Sequence, residues 1–201
     1  MNLAIFASGN GSNFSAIVKA IKQHKIKVKL VILVCDNLEA FVIKRAQKAK
    51  VRVVLVSRAD FASRADFEKA TIQRLRSYKI DLIALAGFMR MLSRDFVKQY
   101  RNRILNIHPS LLPAFKGSQA IKDAFDHKVT CTGVTVHFVD EEMDHGPVIL
   151  QEQIKIKNSD TLASLEKRIH LLEHKLYPQA IKLFSGDKIR LRGRRVWVAT
   201  L

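Results

Sequence analysis

Three side chains with complementary chemistry follow apolar runs in the second half of the chain. Asn106 and His108 come just after the run 103–105, and Asp144 lies in an acidic turn that ends at Gly146. Residues i and i+2 of an extended chain project from one face, so we expect Asn106 and His108 to share a face. An amide N–H can stabilise an oxyanion, an imidazole can move a proton near neutral pH, and a carboxylate can tune that imidazole. These three residues therefore predict a catalytic site for acyl transfer.

A glycine-rich turn near the N-terminus, residues 8–13, is a candidate anion site. Glycine lets the backbone turn tightly, and the free N–H groups of a following helix favour an anion, so Gly11, Ser12 and Asn13 are predicted to bind one. Phe14 stands where a dinucleotide fingerprint would have glycine or alanine, so a terminal phosphate fits better than a pyrophosphate. Asp36 could imitate the ribose-binding acid of a nicotinamide oxidoreductase. That alternative stays open, as does a simple tight turn.

A second candidate segment, residues 86–92, follows another apolar run. A glycine followed by large apolar side chains at the end of a strand could form one wall of a flat pocket for a heterocycle. Ordinary packing of the next helix is the alternative interpretation, and this segment taken alone favours packing.

Short apolar runs alternate with helical periods over the first hundred residues. The predicted strands are 2–7, 28–35, 51–56, 81–86 and 103–107. The predicted helices are 13–24, 40–49, 63–78 and 93–101, the last with Ser93 as its N-cap. The predicted core positions of helix 63–78 are Phe67, Ala70, Ile72 and Leu75. This repetition predicts an α/β fold with a mainly parallel, twisted, Rossmann-like sheet flanked by helices.

The pattern changes after residue 108, where an antiparallel C-terminal part is expected. The elements predicted there are a helix near 117–126, strands at 132–138 and 148–154, a helix from about 160 to 184, and a hairpin at 188–198. His137 lies inside an alternating strand without an obvious partner and is interpreted as structural, and His145 as a loop residue. We predict one domain, 1–201, with a phosphate-binding nucleotide-type half at 1–100 and a catalytic half at 101–201.

The charge of the chain is strongly basic, with 35 Lys and Arg against 18 Asp and Glu among 201 residues and a net charge of +17 at pH 7. The basic residues are spread over many segments, and only 188–195 is a compact cluster, so nucleic acid is not an expected partner. Neither a signal peptide nor a membrane-spanning run is found, which predicts a cytoplasmic protein. Cys35 and Cys131 are predicted to be small buried thiols. No cysteine–histidine spacing supports a metal, so none is predicted.

Taken together, the motifs resemble the phosphoribosylglycinamide formyltransferases, a family of the folate-dependent formyltransferase superfamily. The motifs that carry the resemblance are Gly11-Ser12-Asn13, Gly87-Phe88-Met89-Arg90, Asn106-Ile107-His108-Pro109-Ser110-Leu111-Leu112-Pro113 and Asp144-His145-Gly146-Pro147. The resemblance runs from the first strand to Glu173-His174. Ile121 departs from it, because many relatives have a histidine there.

The resemblance implies an enzyme of purine biosynthesis that transfers a formyl group from 10-formyltetrahydrofolate, its cosubstrate, to the amine of 5'-phosphoribosylglycinamide through a tetrahedral intermediate. It implies that phosphoribosylglycinamide contacts Gly11, Ser12, Asn13, His170, Leu171, Leu172 and Glu173. It implies that the folate contacts Arg64, Met89, Arg90, Met91, Leu92, Asn106, Asp140, Glu141, Glu142, Met143 and Asp144. The implied partners are these small molecules, and the implied assembly is a monomer or homodimer.

Two alternatives remain within the superfamily: a formyltetrahydrofolate deformylase and another folate-dependent formyltransferase. Methionyl-tRNA formyltransferases carry a further C-terminal domain, and the deformylases carry an N-terminal regulatory domain. This chain runs from the first core strand to Leu201, and the stretch Phe115-Lys116-Gly117-Ser118 looks more like the glycinamide enzymes. The glycinamide reaction is therefore the expected one.

Overall fold

Alternating strands and helices make up residues 1–199, the part of the chain that the computed structural model describes. The strands are β1 Asn2–Ala7, β2 Lys29–Cys35, β3 Val53–Leu55, β4 Leu82–Leu85, β5 Ile104–His108, β6 Cys131–Phe138, β7 Val148–Lys155, β8 Ile189–Arg192 and β9 Arg195–Val198. The α-helices are α1 Ser12–Lys22, α2 Val42–Lys48, α3 Arg64–Arg76, α4 Arg94–Gln99, α5 Ala120–Asp126 and α6 Leu162–Ser185. A short 3-10 helix lies at Arg58–Asp60.

A mostly parallel sheet contains β1 to β7 in the order β3-β2-β1-β4-β5-β6-β7, which confirms the predicted α/β class. By its contacts the chain divides into two compact units, Met1–Leu105 and Asn106–Leu201. The prediction of a single domain stays a prediction.

In the first unit, β1 lies between β2 and β4 and pairs with both in parallel. Its side chains from Leu3 to Ala7 are fully buried, as expected for a strand with both faces covered. Phe6 makes edge-on contacts with the rings of Phe88 and Phe96, at centroid distances of 5.3 and 6.1 Å. The segment that follows β4 is therefore fixed to the core by Phe88.

Helix α3 buries a different face from the predicted one. Phe67 and Leu75 are buried as expected, but Glu68 and Thr71 join them, while Ala70 and Ile72 are only half-buried. Positions i, i+4 and i+8 share one helical face, which places Thr71 between Phe67 and Leu75. The buried Glu68 carboxylate accepts from Arg64 Nε at 3.1 Å and from the Ser93 backbone N–H at 2.7 Å.

The second unit contains the antiparallel strands that were predicted after residue 108. Strands β6 and β7 pair antiparallel, and β8 and β9 form the predicted hairpin. Helix α6 begins at a capping box in which Thr161 and Ser164 exchange side-chain-to-backbone hydrogen bonds. Ser93 caps α4 as predicted, since its hydroxyl accepts from the Phe96 N–H at 3.2 Å.

The two cysteines are free but differ in burial. Cys35 is buried on β2, and burial raises the pKa of its thiol. Cys131, at the first position of β6, is only half-buried, because the end of a strand is partly open to solvent. The prediction of a buried thiol was therefore wrong for Cys131.

Within the described residues, no helix is long and apolar enough to cross a membrane. No group of three or more His, Cys, Asp or Glu side chains among residues 1–199 could hold a metal ion, and the absence of a metal stays a prediction.

Candidate active site

Asn106, His108 and Asp144 come together in the second unit. Strand β5 carries the first two, and Asp144 lies in the loop between β6 and β7 with a left-handed φ of 49°. Asp144 Oδ1 is 3.5 Å from Asn106 Nδ2, and Asp144 Oδ2 is 3.5 Å from His108 Nδ1. His108 is buried and the Asp144 side chain is only 10% exposed, so the two groups interact with little solvent between them. An amide, an imidazole and a carboxylate thus form one cluster.

His137 is a fourth member of this cluster. Its Nδ1 lies 2.8 Å from the Phe138 carbonyl, which can only accept, so Nδ1 carries the proton. Its Nε2 lies 3.2 Å from Asn106 Nδ2 and therefore accepts from the amide. Burial lowers the pKa of His137, which keeps the ring neutral and able to accept. The interpretation of His137 as a residue without a partner was wrong, because alternation along a strand does not reveal the neighbour across the sheet.

Backbone groups of the segment 115–117 engage both His108 and Asp144. His108 Nε2 donates to the Phe115 carbonyl at 2.8 Å, and the Gly117 N–H donates to Asp144 Oδ2 at 2.9 Å. With Nε2–H used in this way, His108 can also donate from Nδ1 to Asp144 only as the imidazolium. Sequence patterns gave no signal for Phe115 or Gly117 here, since every residue carries the same backbone groups.

The loop that presents Asp144 has internal contacts of its own. His145 Nδ1 lies 2.9 Å from Asp140 Oδ2, and Asp140 Oδ1 accepts from the Glu142 N–H at 3.1 Å. A Cβ on Gly146 would lie 1.8 Å from the Phe138 carbonyl oxygen, so only glycine permits this close approach. His145 is a loop residue, as predicted, and its ring is paired with Asp140.

In the first unit, the glycine-rich turn leads directly into α1. Gly11 has a φ of 78° and Ser12 is the first residue of the helix. Arg45 on α2 fixes the turn: its Nε donates to the Asn10 carbonyl at 2.8 Å, its Nη2 to Asn10 Oδ1 at 2.9 Å, and its Nη1 to Ser15 Oγ at 3.1 Å. The helix N-terminus therefore begins at a rigid turn beside a cation. Arg45 was not predicted as part of this site, because nothing in the sequence distinguishes it from the many other surface cations.

The segment 86–92, also in the first unit, leaves two methionines in solvent. Met89 is 71% exposed and Met91 is 54% exposed, so the core-packing interpretation was wrong for both. The Met89 N–H donates to Ser8 Oγ at 2.9 Å, and Arg90 Nε donates to Asp36 Oδ2 at 2.7 Å. Asp36 is buried, and its pairing with Arg90 disfavours the ribose-binding role.

The predicted residues of α6 divide into exposed and buried positions. His170 Nδ1 lies 2.9 Å from Glu173 Oε2, and this hydrogen bond raises the pKa of His170. Leu171 is 62% exposed, whereas Leu172 belongs to the buried face of the helix. On the β6–β7 loop, Met143 is exposed and lies next to Asp144.

The chain is similar to formyl transferases along most of its length. The sequence model of the family described as "Formyl transferase" matches residues 1–181. Phosphoribosylglycinamide formyltransferase of Bacillus subtilis is 47% identical over 183 residues, which cover 91% of this chain and 94% of that protein. The crystal structure of glycinamide ribonucleotide transformylase 1 from Symbiobacterium toebii superposes with a TM-score of 0.97 at 38% identity, covering 100% of this chain and 94% of that one.

Two further similarities are narrower, one covering a small part of a longer protein and the other being a likeness of fold. The trifunctional purine biosynthetic protein adenosine-3 of Bos taurus is 39% identical over 198 residues, and the match spans 98% of this chain but only 20% of that protein. A formyltetrahydrofolate deformylase from Pseudomonas syringae has a TM-score of 0.92 at 17% identity, covering 99% of this chain and 66% of that one. The likeness to the deformylase is one of fold alone.

Proposed function

The chain belongs to the formyl transferase family, and on that premise we propose that it transfers a formyl group from 10-formyltetrahydrofolate to the amine of 5'-phosphoribosylglycinamide. The observation that carries the proposal is the cluster of Asn106, His108 and Asp144, with both Asp144 oxygens directed to the other two side chains at 3.5 Å. Its donors and its carboxylate are the groups that formyl transfer to an amine requires.

The reaction forms one C–N bond and breaks another. The amine nitrogen attacks the formyl carbon, and the formyl oxygen becomes an oxyanion in the tetrahedral intermediate. The amine then loses a proton, the bond from carbon to the folate nitrogen breaks, and that nitrogen takes up a proton. Asn106 Nδ2 and the protonated His108 ring donate hydrogen bonds to the oxyanion, a kind of contact worth about 3–4 kcal/mol per donor. Asp144 stabilises the imidazolium, accepts the proton from the amine, directly or through a water, and passes it to the folate nitrogen as the C–N bond breaks.

These donors have protein acceptors before any substrate binds. His108 donates to the Phe115 carbonyl, and the Asn106 amide donates to His137 and lies near Asp144. A substrate oxygen must therefore replace the Phe115 carbonyl at His108, which exchanges a neutral acceptor for a charged one. Charge-assisted hydrogen bonds are the stronger kind, so the exchange favours the transition state over the ground state.

Substrate recognition is assigned to the residues predicted for it. The N–H groups at Gly11, Ser12 and Asn13 bind the phosphate, an arrangement suited to an anion at a helix start. The other end of phosphoribosylglycinamide contacts His170, Leu171, Leu172 and Glu173, with Leu172 offering only its backbone because its side chain is buried. The folate contacts Arg64, Met89, Arg90, Met91, Leu92, Asn106, Asp140, Glu141, Glu142, Met143 and Asp144. The exposure of Met89, Met91 and Met143 supports apolar contact with a flat heterocycle.

The remaining expectations follow from this reaction and stay predictions: no metal requirement, a cytoplasmic location, small molecules as partners, and a monomer or homodimer. Residues 1–199 offer no metal-binding cluster to argue otherwise.

An absorbance assay of the folate product tests the proposal. The purified chain is mixed with 10-formyltetrahydrofolate, with and without phosphoribosylglycinamide. Turnover that requires the amine is expected, because only the amine can accept the formyl group. Equal turnover without the amine would identify a deformylase and refute the proposal, and binding of NAD or NADP would favour the oxidoreductase alternative.

A further inference from the structure

We propose that Arg194 is a positioning residue that holds the 140–146 loop so that Asp144 faces Asn106 and His108. The inference rests on the proposed function, because it assigns Arg194 a role through Asp144. The family match ends at residue 181, so the hairpin that carries Arg194 lies outside it.

Arg194 makes its contacts at both ends of the Asp144 segment. Its Nη1 lies 3.2 Å from Asp140 Oδ2 and 3.1 Å from His145 Nδ1, and its Nη2 donates to the His145 carbonyl. His145 Nδ1 donates to Asp140 Oδ2 at 2.9 Å, so this nitrogen has no lone pair left to accept from Arg194. One guanidinium thus contacts both Asp140, which precedes the turn, and His145, which directly follows Asp144. Its planar fork of donors suits this task.

One side of the loop faces open space rather than packed side chains. It borders a cavity of about 460 Å³ whose lining includes Asp144, His145, Val148 and Arg194. Side chains that line a cavity have fewer van der Waals contacts, so directional polar contacts have more weight in fixing the backbone. Arg194 provides two of these contacts, one to the Asp140 carboxylate and one to the His145 carbonyl.

The β8–β9 hairpin that carries Arg194 is held in place by its own pairing and by contact with β7. Strand β9 lies against β7, and Ile189, Leu191 and Val196 are half-buried on one face. Arg194 lies in the tight turn between the paired strands, beside Gly193 with a φ of 58°. The contact thus joins the Asp144 loop to an element already fixed by strand pairing.

Arg194 differs from its neighbours on the hairpin. Arg190, Arg192 and Arg195 are exposed and have no side-chain partner within residues 1–199. Arg192 is therefore a matched control, since it has the same charge on the same hairpin without the loop contacts.

The test compares Arg194→Gln with Arg192→Gln in the formyl transfer assay. We expect Arg194→Gln to lower kcat roughly ten-fold, since a small misplacement of a catalytic group is costly. The KM for phosphoribosylglycinamide should stay unchanged, whereas the KM for the folate should rise, because residues 140–144 are its proposed contacts. Arg192→Gln should keep the wild-type kcat. Arg194→Lys should fall between them, because a single ammonium lacks the planar fork that reaches both the Asp140 carboxylate and the His145 carbonyl. The thermal unfolding midpoint should be the same in all four proteins.

Any of four results would overturn the inference. Equal kcat in Arg194→Gln and Arg192→Gln, with an active wild type, would show that the contact does not position Asp144. A raised KM at unchanged kcat would show that Arg194 contacts substrate instead. A loss of kcat matched by a lower unfolding midpoint would show a general structural role. A wild type that transfers no formyl group would refute the proposed function and this inference with it.

Discussion

At the scale of residues, the cluster is a closed set of hydrogen bonds. His137 fixes the amide of Asn106, the Phe115 carbonyl fixes the ring of His108, and the Gly117 N–H fixes one oxygen of Asp144. Before substrate binds, each of the three side chains is thus oriented by a group outside the proposed catalytic set. Such preorganisation reduces the cost of reorientation in the transition state.

Asp144→Asn should lower kcat about 100-fold or more, because the amide can neither accept a proton nor balance the imidazolium charge. Folding stability should hardly change, since asparagine tolerates the left-handed φ of 49°. Asp187→Asn is the control: it has the same change at an exposed aspartate with a φ of 52°. Kinetics and urea unfolding of both variants check this, and near-native turnover in Asp144→Asn would remove Asp144 from the mechanism.

The two perturbed histidines should shift stability with pH in opposite directions. Burial lowers the pKa of His137, so the unfolded chain binds the proton more readily, and the unfolding free energy falls as pH drops below about 6.5. Glu173 raises the pKa of His170, so its stabilisation is complete below about pH 6.5 and is lost as pH rises through the folded-state pKa.

Urea unfolding at about pH 7 and about pH 5 measures both effects. Between these values His137→Gln should lose less stability than the wild type, and His170→Gln should lose more. The change for His170 should be the smaller one, because its side chain is half-exposed. Parallel pH profiles for all three proteins would contradict the assignment.

The sequence predicted the side chains of the cluster but not their supports. Asn106 and His108 were recognisable because two chemically useful side chains stand two residues apart after an apolar run, and Asp144 because it lies in a turn. His137 needed knowledge of which strand lies beside β5. Phe115 and Gly117 act through backbone atoms, which no residue type marks.

At the scale of elements, the start of α1 depends on close packing with α2. The Val42 N–H donates to the Gly9 carbonyl at 3.1 Å, and a Cβ on Gly11 would lie 2.4 Å from Val42 Cγ2. Arg45 adds three hydrogen bonds from the same helix. The proposed phosphate site is therefore built by two helices of the first unit.

Gly11→Ala should lower the unfolding free energy by about 2–4 kcal/mol, because the methyl group clashes with Val42 and disfavours the left-handed φ. It should also raise KM for the phosphorylated amine, since the N–H groups at the helix start move. Gly9→Ala is the stability control, because a Cβ there would meet nothing within 4 Å. Equal urea midpoints for the two variants would contradict the packing argument.

Most elements could be predicted, because buried strands and amphipathic helices have distinct periods. The pairing of β6 with β7 and the terminal hairpin followed from alternation and turn signals. The buried face of α3 could not be predicted in this way. Glu68 is buried because it is hydrogen-bonded to Arg64 and Ser93, and composition does not reveal these bonds. Arg194 looked like part of a basic cluster, because its partners lie 54 and 49 residues away.

At the scale of the whole molecule, the net charge of +17 opposes compactness. The proposed phosphate and carboxylate ligands need only a few of these cations, so most of the charge acts as mutual repulsion. Salt should therefore stabilise the protein. Raising NaCl from about 0.01 M to about 0.15 M shortens the Debye length from about 30 Å to about 8 Å.

Thermal unfolding across this salt range should show a midpoint that rises by about 2–5 °C. Choline chloride at equal ionic strength is the control, because it screens charge without a specific sodium effect. A midpoint that falls with salt would mean that ion pairs outweigh the repulsion.

We propose that the cluster of Asn106, His108 and Asp144 moves a formyl group from a folate to an amine. The most direct measurement follows a carbon-13 formyl label from 10-formyltetrahydrofolate by NMR in the presence of phosphoribosylglycinamide. The label is predicted to appear in the formamide of the glycinamide product, at a rate that falls strongly in His108→Ala. Label found instead in free formate, at a rate independent of the amine, would contradict the account.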